Sequence, residues 1–228
     1  KKDAANQVLP YPEEVILSIV PDEKTQYLMF KEGSQDEYSP KAEEISEFVA
    51  KQGNYTVYNN GGNYGASFWS FNQNPINKDK PFYEWFTCKE FRQAMSCLMN
   101  RDRIISQVYH GLAEPCLYLF PKPNAYYNEN ITLQYLYDHK RAAELLAKAG
   151  MKKDTDGILR DKHGNAVEFD LSITADSTIF SDIATIVADE CQKEGIKINI
   201  RTTDFQKLVE QATSTFDWQS LFIGLGTN

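Results

Sequence analysis

The chain has 228 residues, enough to bury a large core as one domain or as two smaller ones. Apolar residues make up 42% and charged residues 25%, the ordinary balance of a globular protein. The formal net charge of −8 argues against a nucleic-acid footprint, which needs a basic patch facing phosphates, and against docking on an anionic membrane surface.

No apolar run approaches the roughly 20 residues that a membrane helix requires. The opening KKDAANQ is not a secretory leader, and LFIGLGTN stops just after a strand-like run, so the sequence reads as a piece of a longer chain. Cys88, Cys97, Cys116 and Cys191 form no C-x-x-C pair and no histidine cluster accompanies them, which argues against a zinc site. Cys97 and Cys191 fall within helical patterns, and buried thiols are the preferred reading over a disulfide.

In chain order, EVILSIV at 14–20 predicts a strand covered on both faces, because its apolar residues are too dense for a surface strand. Asp22 caps a helix to about Glu32, stopped by Gly33. A short strand is expected near 35–38. Ser39 and Pro40 open a second helix with Ile45, Phe48 and Val49 on one face. YTVY at 55–58 predicts another strand, completing an alternating α/β series. NNGGN at 59–63 marks the best internal boundary. ASFWSFN at 66–72 follows as an aromatic strand.

A polar loop leads to a helix in which Phe91, Ala94, Met95, Leu98 and Met99 share one face at i, i+3, i+4, i+7 and i+8. Asn100 caps the next helix, with Ile104, Ile105, Val108 and Tyr109 inward and Gly111 as its stop. Residues 112–130 read as an irregular crossing. Asp138 caps a helix with Ala142, Leu145, Leu146 and Ala149 on one side, ended by Gly150. A hairpin around KHGN at 162–165 is expected to pair 158–160 with 166–173. The second arm alternates Val167, Phe169, Leu171 and Ile173 with polar residues, as a strand covering a core on one face. A helix over about 178–194, stopped by Gly195, and a strand at 196–200 complete a βαβ unit. Asp204 caps a short helix, and DWQSLFI at 217–223 is the last strand.

The chemistry searched for is mostly missing. There is no phosphate loop of the G-x-x-x-x-G-K-[ST] type and no G-x-S-x-G nucleophile elbow. His110, His139 and His163 are scattered at helix ends or turns and read as surface residues. DTDG at 154–157 starts like a calcium loop but lacks the later ligands, and reads as a turn. No catalytic set, metal site or cofactor is expected. The aromatic density between Tyr55 and Phe86 is different. Phe68 lies opposite in phase to Trp69, so a strand there shows aromatics on both faces. One face is core; the other meets another layer or a ligand, with Phe68, Trp69 and Phe71 as the candidates.

FNQNP, followed by FRQAMSCLMNRDRIISQVYHGLAEP, resembles the bacterial extracytoplasmic solute-binding proteins of the peptide and nickel uptake class, family 5. The matching residues are Asn72, Arg92, Gln93, Ala94, Arg101, Ile104, Ile105, Gly111 and Pro115. YDHKRAAELLAKAG, DGILRDKHGN, KEGIKINI and FDWQSLFIGLG resemble further family segments, and KEGSQDEY resembles a family turn through Gly33 and Asp36. The resemblance spans nearly the whole chain.

The resemblance implies a mixed α/β fold, a type II periplasmic-binding-protein-like lobe with part of a second. Residues 1–65 would be the closing α/β segment of lobe I. Residues 66–228 would be lobe II, with interlobe strands at 66–72 and 216–228. It implies a two-lobed binding module that closes on a peptide or other small solute and delivers it to an ABC permease outside the cytoplasm, with a lipid anchor conceivable. Phe68, Trp69, Phe71, Asn72, Thr174, Gly224, Leu225 and Asn228 would border the cleft. Peptide-binding members carry Gly-Trp-x-x-Asp in the last motif, where the Asp holds the peptide's ammonium. Here GLGTN puts Leu225 for the Trp and Asn228 for the Asp, so the charge-assisted part of that contact is lost. An α/β enzyme with a site split between this chain and other parts, and a sensory or adhesive surface lipoprotein on the same fold, are the competing readings.

Overall fold

The computed structural model describes residues 1–51, 53–62, 64–116, 120–132 and 134–226. It divides into two compact units, Lys1–Gln52 and Gly53–Asn228.

The first unit is built on helices α1 (Glu23–Lys31) and α2 (Ile45–Ala50). Asp22 accepts a hydrogen bond from Thr25 N at 2.7 Å, the expected N-cap. Tyr27, Phe30 and Tyr38 surround the buried ring of Phe48 at centroid distances of 5.7–5.9 Å. The strands expected at 14–20, 35–38 and 55–58 do not form. A strand exists only where its N–H and C=O groups meet a ladder, and no described segment pairs with 14–20. Leu17 and Ile19 are accordingly 89% and 95% exposed.

The second unit is organised by a four-stranded sheet. Its strands are β1 (Gly65–Phe71), β4 (Glu168–Thr174), β5 (Lys197–Thr203) and β6 (Ser220–Gly226), in the spatial order β1-β6-β4-β5. β1 runs antiparallel to β6, and β4 runs parallel to both β5 and β6. The small strands β2 (Lys152–Lys153) and β3 (Leu159–Arg160) form a separate two-stranded piece. The KHGN turn forms, closed by Asp161 accepting from His163 N and Asn165 N. Its second arm meets the first only at an Arg160–Ala166 bridge, so the expected hairpin is replaced. β3 pairs with β2, and β4 enters the main sheet, where Phe169, Leu171 and Ile173 are buried.

Helices α3 (Pro81–Thr87), α4 (Lys89–Leu98), α5 (Arg101–Gln107), α6 (His139–Lys148), α7 (Thr178–Lys193) and α8 (Phe205–Glu210) complete the unit. Phe91, Ala94, Met95 and Leu98 of α4 are fully buried, as the helical spacing predicts. α3 falls in a stretch read as loop, although Pro81 at its first turn and Phe82, Trp85 and Phe86 at i, i+3 and i+4 mark it. The main core joins α3, α4, α6 and α7 to one face of the sheet, with Phe86, Phe91 and Phe169 in mutual contact at 5.1–6.2 Å. β4 is covered on its other face too: α8 packs there, Leu208 is buried, and Ser172 and Thr174 are largely shielded.

Cys97 and Cys191 are buried thiols, and burial pushes both pKa values up. His163 is an exposed partner of Glu84 at 3.2 Å. His139 departs from the surface reading, because it is held between Glu190 and Glu194.

Gly195 follows the C-terminus of α7 with φ +79°, and a Cβ there would lie 2.2 Å from Gly157 O and 2.7 Å from Leu159 N. Both are backbone atoms, and Leu159 N donates to Gly195 O at 2.9 Å. Gly195→Ala is expected to destabilise the protein by more than the ~1–2 kcal/mol that the left-handed conformation alone costs an L-residue. Urea denaturation checks this as a lowered midpoint at unchanged slope.

Candidate functional site at the paired crossing strands

The two segments expected to cross between lobes lie side by side. In the antiparallel register Ala66 is opposite Leu225, Ser67 opposite Gly224, Phe68 opposite Ile223, Trp69 opposite Phe222 and Phe71 opposite Ser220. The alternation of a strand then sorts the candidates onto two faces.

Trp69 and Phe71 face the core. Their rings are 4.6 Å apart, Trp69 stacks on Phe169 at 6.2 Å, and Phe71 contacts Phe86 at 5.1 Å. Trp69 Nε1 is buried with no hydrogen-bond partner among the described residues. Phe68 lies on the opposite face, beside Ile223 and in line with Leu225 two residues further on. Ser172 pairs with Leu221, and carrying that parallel register onward brings Thr174 level with Ile223. Phe68 and Ile223 are paired on this face, and Thr174 lies on the same face of β4 beyond the last β4–β6 pair. Leu225 is 46% exposed at the edge of this face. Ile223 was not singled out from sequence; the signal was its strict alternation with Leu221 and Leu225.

This group lies at the carboxyl end of the parallel strands, where open α/β sheets place their ligands. The loop after β4 is closed on itself: Thr174 Oγ1 accepts from Asp176 N at 3.4 Å, and Ser177 caps α7 through Phe180 N at 3.2 Å. Gly224 leaves room for its neighbour, since a Cβ there would stand 3.3 Å from Ser67 Oγ. The Tyr109 phenol, two residues past α5, is partly buried near Ser67: burial raises its pKa and Ser67 moderates the rise.

Asn72 sits at the other end of β1 and does a different job. It is 1% exposed. Its Nδ2 donates to Phe216 O at 2.9 Å and to Trp218 O at 2.7 Å, and its Oδ1 accepts from Asn74 N at 2.9 Å. Its own N–H donates to Gln219 O at 2.9 Å. These bonds hold the turn before β6, in which Phe216 adopts φ +54°, a conformation that bulky residues rarely take. Gln219 Oε1 accepts from Asp170 N, and Ser220 Oγ donates to Asp170 O, both at 2.9 Å, so the same turn is stitched to β4. Asn228 lies outside the described residues.

Among the described residues no group of three or more His, Cys, Asp or Glu side chains is arranged to hold a metal, and no helix is long and apolar enough to cross a membrane. A four-stranded mixed sheet whose first and last strands pair antiparallel, with helices packed on it, is the architecture of a type II periplasmic-binding-protein-like lobe. Solved structures share it. The oligopeptide-binding protein AppA of Bacillus subtilis, in complex with a nonapeptide, superposes with TM-score 0.76 at 24% identity, over 92% of this chain and 40% of AppA. NikZ of Campylobacter jejuni, in complex with Ni(L-His), gives TM-score 0.75 at 21% identity, over 91% of this chain and 38% of NikZ.

Residues 5–228 match the middle region of the bacterial extracellular solute-binding proteins, family 5, and the chain belongs to that family. A probable ABC transporter-binding protein of Deinococcus radiodurans is 33% identical over 215 residues, covering 91% of this chain and 36% of the relative. AppA is 32% identical over 145 residues, 62% of this chain and 26% of AppA. The chain therefore spans well under half the length of these relatives. The family and these relatives are binding proteins.

Removing the Asn72 amide orphans two carbonyls in a closed site. Asn72→Ala is expected to cost about 1–3 kcal/mol, and Asn72→Asp at least as much, because a carboxylate cannot donate to either carbonyl. Paired urea unfolding curves of the two variants check the order.

Proposed function

We propose that this chain is the lobe II portion of an extracytoplasmic solute-binding module. It closes with a partner lobe on a peptide or other small solute and passes it to an ABC permease. Residues 66–228 are lobe II and residues 1–65 the last segment of lobe I. The observation that supports this reading is the β1–β6 pair: residues 65–71 and 220–226 run side by side, as the two crossings of a two-stranded hinge would. The relatives support the solute class: one solved neighbour holds a nonapeptide and another holds nickel with histidine. Binding involves no catalytic step and no cofactor. The extracellular setting of the family supports a place of work outside the cytoplasm.

In the cleft, Phe68, Thr174, Gly224 and Leu225 form the lobe II wall, together with Ile223. Trp69 and Phe71 back that wall from the core side, and Asn72 anchors the start of β6 at the far end of the pair. On the family resemblance, Asn228 would take the place where peptide-binding members carry a carboxylate. An amide accepts a hydrogen bond from a ligand's ammonium but adds no opposing charge.

Two titrations of the full-length protein by calorimetry test this. Phe68→Ala is expected to weaken solute binding about tenfold, equivalent to ~1.4 kcal/mol, with unchanged folding. A peptide with a free amino terminus and its N-acetylated form are expected to bind within about tenfold of each other. A free-amine preference of a hundredfold or more would overturn the reading of Asn228. Unaltered binding by the Phe68 variant would remove Phe68 from the cleft.

A further inference from the structure

A second cluster of charges lies at the opposite, amino end of the parallel strands, where α7 ends and α6 begins. His139, the first residue of α6, is flanked by two carboxylates of α7 one helical turn apart. Its Nδ1 lies 2.7 Å from Glu194 Oε1 and its Nε2 lies 2.9 Å from Glu190 Oε2. A neutral imidazole has one N–H and one lone pair. With a carboxylate oxygen against each nitrogen, a neutral ring would set a lone pair against an anion at under 3 Å. Both contacts are hydrogen bonds only when the ring carries two protons. From this geometry we infer that His139 is a proton-operated clamp, which as an imidazolium bolts the start of α6 to the end of α7.

The alternative is a proton on one of the carboxylates, and their surroundings oppose it. Glu190 is 1% exposed. Burial alone would raise its pKa, but hydrogen bonds from Lys193 (2.7 Å), His139, Tyr137 Oη (2.8 Å) and Arg103 (3.2 Å) outweigh burial and hold it at about 2. Asn100 Nδ2 adds a longer contact at 3.4 Å. Glu194 is likewise held down: burial opposes the charge, while Lys153 at 2.9 Å and His139 favour it. The proton therefore resides on the ring. Desolvation works against the charge on His139, but the two carboxylates overcome it and its pKa is raised.

Every element around the ring contributes to this balance. α5 brings Arg103, which also pairs with Asp189 at 2.7 Å. Its cap brings Asn100, and the segment before α6 brings Tyr137, edge-on to the imidazole at 5.3 Å. β2 brings Lys153, α7 brings Asp189, Glu190, Lys193 and Glu194, and the Asp138 carboxylate is occupied in capping α6 through Arg141 N at 2.9 Å. Helix dipoles offer no help, since a cation at the start of α6 and anions at the end of α7 both meet the unfavourable pole. The charges are sustained by one another.

The consequence for stability follows from linkage. A group whose folded pKa lies above its unfolded value of about 6.5 contributes its full stabilisation below that pH and loses it as pH rises through the folded value. The clamp is thus closed below about pH 6.5 and releases as pH rises through the raised folded value.

The test uses the full-length protein. The His139 Cε1–H resonance, assigned by its absence in His139→Gln, is followed with pH in the wild type and in Glu194→Gln. The wild-type midpoint is expected above 6.5, with a shift to lower pH in Glu194→Gln, where the hydrogen bond survives and the charge does not. Thermal melting of the wild type is expected to fall across the same window, and His139→Gln to lose that pH-dependent fall. A wild-type midpoint at or below 6.5, or a midpoint unmoved by Glu194→Gln, overturns the proposal. So does an unchanged pH dependence of melting in His139→Gln. If His139→Gln fails to fold, the histidine resonance that moves on Glu194→Gln identifies His139, and its midpoint decides.

Discussion

The second unit depends on one antiparallel ladder between two strands that lie at opposite ends of its sequence. β1 is the edge of the sheet, and β6 is its inner neighbour between β1 and β4. Without β1, the buried β6 would leave a row of N–H and C=O groups unmet on one side. Without β6, the aromatic face of β1 would lose its link to the sheet. The pair therefore brings residues 65–71 and 220–226 side by side at one edge of the sheet. On the reading proposed above, this pair would be the hinge of a closing two-lobed module, because two adjacent strands bend together while the body they leave stays rigid.

Asn72 converts this pairing into a defined geometry. Three hydrogen bonds run from one nearly inaccessible residue to the turn before β6, a fourth fixes its own amide oxygen on Asn74 N, and that turn carries a left-handed Phe216. Backbone in a sparsely populated conformation persists only when its surroundings over-determine it. The Asn72 amide, together with the bonds of Gln219 and Ser220 to Asp170 of β4, is that over-determination. On the core side, Trp69 and Phe71 lock β1 onto Phe169 and Phe86, so the ligand-side face rests on rigid packing. The charge clamp of His139 joins α6 to α7 at the far end and holds the helical layer together there.

The helices and inner strands of the second unit were readable because their partners follow the 3.6 and 2.0 periods of the chain itself. The buried face of α4 and the stop at Gly195 are examples. α3 was legible through Pro81 and the Phe82, Trp85, Phe86 spacing, but its short length and polar approach hid it. The aromatic strand was placed correctly, and its two faces were expected. Which face is core was not readable: Trp69 and Phe71 are chosen by Phe169, about a hundred residues away. The resemblance sets Asn72 at the cleft, but its anchoring bonds were not legible, because a polar residue ending a strand says nothing of carbonyls 144 and 146 residues distant. His139 looked like a helix-end surface residue for the same reason. The 14–20 run shows the opposite failure, in which local apolar density predicts a strand and no described segment supplies the ladder.

The central claim is that this chain contributes the hinged wall of a solute-binding cleft. Native mass spectrometry of the full-length protein, recovered from its own cell envelope, tests it most directly. The account predicts a ladder of co-purified small solutes, short peptides foremost, released on mild activation. A protein that emerges empty, and whose thermal stability then ignores both a peptide library and metal–histidine complexes, would contradict it.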